Sequence, residues 1–445
     1  MRILASCTNG VLRFNSVKDF APSRSCGASF GPFNASVQRR WKKPVSTAQT
    51  RLESRTRDLK LDGLMRETKR LKLALRIAEL MSRRKKGPFV SMQTMSRWSN
   101  IAGVSTGVGV GGFVRKYPHV FDVFTHPVRR NACCRVSEEM KGLIREEEGV
   151  VRAAELDAKN RVKRLLMMSK GGRLHVHALR LMRRELGLPE DFVESILKRY
   201  LNDFNLVDVE TVELVSRNES LCVAQVEKWR EKEYTEKWLS EFETMYAFPV
   251  SFPTGFKIVS GFRDKLKNWQ RLPYIKPFEQ SEAVWIRSCG GLERFEKRVV
   301  GILHELLSLT VEKMVDVQRL AHFRRDFGIE INIRELILKH PGIFYISTKG
   351  ETEMVFLREA YQKGCLIMPN AMYDVRMKMI DLLLMGCRNI KKLHVQSGIK
   401  EESAPVEQEQ EKSVRMGIDD HWVVSILDRS ADENSRVHAS ASDSP

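Results

Sequence analysis

The 445-residue chain is 42% hydrophobic, which is enough to build cores for two or three domains. Its 75 Lys and Arg against 56 Asp and Glu leave +19 at pH 7, a surplus that suits a polyanionic partner, either nucleic acid or an anionic membrane. No run approaches the ~20 apolar residues of a membrane helix, the N-terminus lacks the apolar run of a secretory signal, and the 8 cysteines form no CxxC pair, so membrane-spanning and disulfide-built secreted classes drop out.

From Met1 to Lys43, Arg2, Arg13, Lys18, Arg24, Arg39, Arg40, Lys42 and Lys43 stand against the single acid Asp19, with serines throughout. That is the chemistry of an organellar transit peptide over residues 1–43, and its arginine content favours the mitochondrion, with the chloroplast as the alternative. A polar stretch leads into a predicted helix over Leu64–Met81, where Leu64, Leu71, Leu75 and Ala78 fall at helical spacing. Gly87-Pro88 stops it.

Three later segments share one pattern: VGGFVRKYPHVF, VESILKRYLNDF and IRELILKHPGIF. Apolar residues stand at i, i+3 and i+4, a basic residue at i+6, a ring at i+7 (Tyr117, Tyr200, His340) and a Phe at i+11 (Phe121, Phe204, Phe344). Upstream of each comes a second predicted helix, around Met95–Ala102, Ala178–Leu186 and Arg319–Phe327, ending at Gly103, Gly187 or Gly328 as a left-handed cap. Downstream of each come two short extended runs. Helix, turn, helix, hairpin predicts a mostly α fold with short β-hairpins (α+β), in tandem winged-helix-like repeat units over about 64–140, 155–216 and 292–360. Similar apolar spacing also arises in unrelated amphipathic helices; the matched basic, ring and Phe positions favour the repeat.

An insertion over about 224–287 separates the second and third units. It opens as a charged helix and continues into Phe256–Phe278, where Lys257, Arg263, Lys265, Lys267, Arg271 and Lys276 interleave with Phe256, Phe262, Trp269 and Tyr274. Cations that neutralise phosphates beside rings that stack on bases suit single-stranded RNA. The same rings could instead pin the insertion to the core. Further cationic clusters are Arg83, Arg84, Lys85, Lys86; Arg161, Lys163, Arg164; Arg180, Arg183, Arg184; and Arg324, Arg325. Such runs are often solvated faces, yet the overall surplus requires some to form a positive surface. A closing amphipathic helix is predicted over Met372–Met385, and the tail over 396–445, rich in Glu and Asp, is predicted to be acidic and disordered.

The stretch GVSTGVGVGG lacks the GK[ST] and preceding strand of a phosphate-binding loop and is predicted to be a connector. His175, His177, Cys133 and Cys134 lack zinc spacing, and no thiol stands in a recognised nucleophile context. Neither a metal, a cofactor nor a catalytic residue is assigned.

The phrases RTRDLKLD, KKGPFVSMQTMSRWSNI, FVRKYPHVFDVFTHP, YAFPVSFPTGFK, KLKNWQRLPYI and HPGIFYISTKG, spread from about Lys43 to Met385, resemble the plant organelle RNA recognition (PORR) family. The resemblance implies an organellar RNA-binding protein that is no enzyme and promotes group II intron splicing. Its partners would be single-stranded or structured intron RNA and other splicing factors, and its basic surfaces would bias the intron toward its active fold. The resemblance supplies no list of RNA-contacting residues. The alternatives are an organellar DNA-binding winged-helix protein and a Cys-dependent hydrolase.

Overall fold

The computed structural model describes residues 55–84, 87–98, 109–208, 210–237, 248–253, 255–257, 260–279, 291–350 and 352–397. The predicted leader, most of the acidic tail, Lys85, Lys86 and most of the glycine stretch lie outside the described residues.

Helix α1 (Leu59–Ser82) starts a turn earlier than its apolar spacing predicts, because extended Asp58 caps it by accepting from the N–H groups of Lys60 and Leu61. There follow β1 (Val90–Ser91), α2 (Met92–Ser96), α3 (Gly109–Lys116), β2 (Phe121–Thr125) and β3 (Ala132–Val136). The last glycines of the predicted connector, Gly109, Gly111 and Gly112, therefore open a helix. Two helices, α4 (Glu138–Ala153) and α5 (Glu155–Met168), lead to β4 (Arg173–His175), α6 (Val176–Leu181), a short π-helical turn (Val193–Leu197), β5 (Phe204–Asp208) and β6 (Thr211–Leu214). The insertion contributes α7 (Gln225–Lys237) and α8 (Phe262–Arg271), and α9 (Gly291–Leu309) follows. Then come β7 (Met314–Asp316), α10 (Val317–His322), α11 (Ile333–Lys339), β8 (Phe344–Ser347) and β9 (Met354–Leu357). A small ribbon of β10 (Tyr361–Gln362) and β11 (Cys365–Leu366) precedes α12 (Ala371–Ser397). The fold is α+β.

Three antiparallel sheets have the orders β1-β3-β2, β4-β6-β5 and β7-β9-β8, so each hairpin gains a short earlier strand beside its second strand. The hydrogen bonds at the hairpin entrances recur as well: Phe121 N–H donates to the Tyr117 carbonyl, Phe204 to Tyr200 and Phe344 to His340, each at 3.0 Å. Gly187 and Gly328 both adopt φ +63°, a left-handed cap that a β-carbon would strain. Tyr117, Phe121, Phe204 and Phe344 are buried, whereas Tyr200 and His340 are only partly covered.

One core joins α5 and α9 to the second and third units through Leu165, Phe192, Phe204, Leu303, Phe323 and Phe344. Another joins the first unit to α1 and α12 through Ile77, Met95, Val114, Phe121, Met379 and Ile380. Between the units, Arg376 of α12 is buried with Glu147 of α4 at 2.7 Å and Glu312 at 3.2 Å, and it donates to the Arg184 carbonyl at 2.9 Å. Burial works against its charge, but the two carboxylates outweigh that and hold its pKa above the usual value.

Candidate nucleic-acid interface

The aromatic and basic segment divides by helical periodicity. In α8, Phe262, Leu266 and Trp269 share one face (i, i+4, i+7), and Arg263, Lys265 and Arg271 are exposed while Lys267 is partly covered. Asp264 is the one acid among them. Lys257, just upstream, is exposed, and Phe262 completes a ring group with Phe252 and Phe256 at centroid distances of 5.9 and 5.8 Å.

Trp269 and Tyr274 belong to the inside. The Trp269 ring lies 4.3 Å from that of His340 and 5.7 Å from that of Phe248. Tyr274 packs edge-on to Phe248 at 5.6 Å with the Arg230 guanidinium 4.1 Å over its face, and burial pushes its phenol pKa up. A β-carbon on Gly301 would come within 3.2 Å of the Tyr274 ring, so glycine makes the seat for it. Lys297 donates to the Gln270 and Leu272 carbonyls at 2.7 and 2.5 Å, closing the C-terminus of α8, and burial pushes its pKa down to about 7. Gln270 and the Phe248 backbone exchange two hydrogen bonds at 2.7 and 3.2 Å. Rings covered in this way pin the segment to the protein, and Arg263, Lys265 and Arg271 stand exposed on its outer face.

The other predicted residues separate. Arg83 pairs with Glu79 at 2.5 Å, and Arg84 lies 5.9 Å over the Trp98 ring. Arg184, a predicted RNA contact, pairs with Glu147 at 3.1 Å beside the buried Arg376, its side chain remaining about one-third exposed. Arg183 is half-buried. Among the described residues no hydrogen bond, ion pair or ring contact joins the Arg83 turn to α8. Arg161, Lys163 and Arg164 likewise turn inward: to the Leu186 carbonyl at 2.9 Å, to Asp203 at 2.5 Å and to Glu305 at 2.5 Å.

Lys116, the basic residue of the first repeated segment, lies with Arg115 at the end of α3, and Arg129 and Arg130 lie in the β2–β3 turn; none of the four is among the predicted RNA contacts. All four are exposed, and none forms an ion pair among the described residues. The available signal was two adjacent cations between two extended runs. As for a nucleophilic thiol, burial, with Asp122 nearby, pushes Cys134 up to about 12, which keeps it protonated.

The family model of the plant organelle RNA recognition domain matches residues 56–388. The chain is 36% identical over 394 residues to Protein ROOT PRIMORDIUM DEFECTIVE 1 of Arabidopsis thaliana, covering 85% of this chain and 94% of that one. It is 29% identical over 332 residues to Protein WHAT'S THIS FACTOR 1, chloroplastic, of Zea mays, covering 73% and 66%. It is 30% identical over 300 residues to Protein WHAT'S THIS FACTOR 9, mitochondrial, of Arabidopsis thaliana, covering 66% and 75%. No solved structure matches the chain.

Proposed function

The chain belongs to the plant organelle RNA recognition domain family, and from that premise we propose that it binds intron RNA in a plant organelle and promotes group II intron splicing, the RNA supplying the chemistry. The observation that carries this is the set of exposed cations Lys257, Arg263, Lys265 and Arg271 at α8 and Arg115, Lys116, Arg129 and Arg130 at the first hairpin, none of which forms an ion pair among the described residues. Lys257, Arg263, Lys265, Lys267 and Arg271 would hold phosphates, while Phe262, Trp269 and Tyr274 keep their segment in place.

The three strand–helix–helix–hairpin units are read as winged-helix-like repeats, within an RNA-binding region over about 44–390. Their repeated sheet order and matched hairpin hydrogen bonds support that reading. Residues 1–43 are read as the transit peptide and 396–445 as an acidic tail. Among the relatives, one is named chloroplastic and another mitochondrial. The Arg-rich leader favours the mitochondrion here. A fusion of residues 1–43 to a fluorescent protein should light mitochondria, and a cytosolic signal would sink the compartment reading.

Binding is tested with purified protein offered intron RNA and duplex DNA over a salt series. RNA affinity should fall with a log–log slope of about −0.7 per phosphate neutralised on single-stranded stretches. Equal affinity for duplex DNA would favour the DNA-binding alternative, and a flat salt response would remove the basic surfaces from the account.

A further inference from the structure

The three hairpins end in turns of opposite charge. The first turn carries Arg129 and Arg130, the second carries Asp208 and Glu210, and the third carries Lys349 together with Glu353, which already pairs with Arg334 at 2.7 Å. The first turn is also built to hold its shape. His126 N–H donates to the Asn131 carbonyl and Arg130 N–H to the His126 carbonyl, both at 2.9 Å. The His126 Nδ1 accepts from the backbone N–H groups of Val128 and Arg129, each at 3.2 Å. Arg130 takes a φ of +49°, a conformation costly for an arginine, which those bonds impose. The two guanidinium groups therefore leave a fixed backbone, and fixing it in advance removes ordering entropy from any later contact.

What the turn lacks is a stacking platform. The rings at its base are occupied with each other: Phe89 lies 5.9 Å from Phe124 and 5.2 Å from His126, and Arg135 covers Phe124 at 5.6 Å. The group that projects is Val128, 84% exposed, beside the two cations. Such a tip can grip two phosphates and rest an aliphatic side chain against a groove, but it cannot thread successive unpaired bases.

Resting on the RNA-binding reading above, we propose that the His126–Asn131 turn is a wing that holds the phosphate backbone of helical, base-paired RNA, and that the acidic second turn takes no part in this contact. The test compares the full chain with the double variants Arg129→Ala/Arg130→Ala and Arg129→Lys/Arg130→Lys, on a stem-loop RNA and on an unstructured oligouridine, each titrated against salt. Two lost phosphate contacts should flatten the stem-loop log–log slope of the alanine variant by about 1.8, and leave the oligouridine slope unchanged. The lysine variant, which keeps both charges, should retain the wild-type slope and so exclude misfolding as the cause. An unchanged stem-loop slope in the alanine variant, or equal losses on both RNAs, overturns the wing. Wild-type protein that binds neither RNA overturns the functional reading itself, whereas wild-type binding with an unaltered variant slope overturns the wing alone.

Discussion

The first and third hairpins follow the same pattern and meet opposite surroundings. In the third, Phe344, Ile346, Val355 and Leu357 enter the main core, while Tyr345, Met354 and Phe356 on the other face meet Leu61, Leu64 and Met65 of α1. Asp62 of α1 accepts from the Tyr345 and Ser347 hydroxyls at 2.9 and 2.6 Å, and Arg55 donates to the Ile346 carbonyl at 2.8 Å. The first hairpin is covered less completely: Phe121, Cys133, Cys134 and Val136 are buried, but Asp122 and Arg135 pair at 3.1 Å on the outside and Val123 and Thr125 are exposed. A strand that is apolar on both faces reads as a wall between two cores, whereas one that alternates leaves a face for something else. The same hairpin thus serves as scaffold in one unit and as surface in another.

The sharpest break of this contrast is a ring removed from each hairpin. Phe356→Ala should cost about 3–5 kcal/mol of unfolding free energy, as buried aromatic truncations do. Phe124→Ala should cost about 1 kcal/mol, the worth of a peripheral ring pair. Equal losses in urea unfolding would erase the distinction. Carboxylates give a finer version. Asp62→Ala strands two buried hydroxyls and should cost about 1–3 kcal/mol, and Asp122→Ala, at an exposed pair, should cost about 0–1 kcal/mol. A neutral Asp62→Ala would mean that α1 is held by its apolar side chains alone.

The smallest effect at neutral pH concerns the ring position of each unit. Burial, with Lys339 beside it, lowers His340 from 6.5 to about 3. A depressed folded-state pKa means that the unfolded chain binds the proton more readily, so the stability present above pH 6.5 is lost as pH falls toward 3. His340→Phe should flatten that acid limb, and Tyr117→Phe, at the matching place in the first unit, should leave it in place. Denaturant midpoints at neutral and mildly acid pH decide it, and an acid limb that persists in His340→Phe assigns it to another group.

Much of this organisation was legible in residues. Leu64, Leu71, Leu75 and Ala78 announced α1, and Gly187 and Gly328 marked the helix ends. The Tyr117, Tyr200 and His340 positions marked the hairpin entrances. The first strand of each sheet was not legible: Val90–Ser91, Arg173–His175 and Met314–Asp316 are too short to alternate, and their partners lie far along the chain. For the interface, composition singled out the segment around α8, but the fate of each ring depended on tertiary partners such as Phe248 and His340. The i, i+4, i+7 spacing of Phe262, Leu266 and Trp269 already hinted at an inward face. The segment RTRDLKLD is a clamp, with Arg55, Asp58 and Asp62 all engaging the third hairpin. The pairing of Arg184 with Glu147 was not legible, because charge in a sequence carries no sign of its partner and Glu147 is remote from it along the chain.

The core of the first unit is completed by Val375, Met379, Ile380 and Leu383 of α12. A ribosome adding about 5–20 residues per second makes those side chains tens of seconds after the apolar faces they cover. Until those side chains are made, the apolar face of the first unit that they cover has no partner. A premature stop upstream of α12 would then be felt at the beginning of the protein as much as at its end.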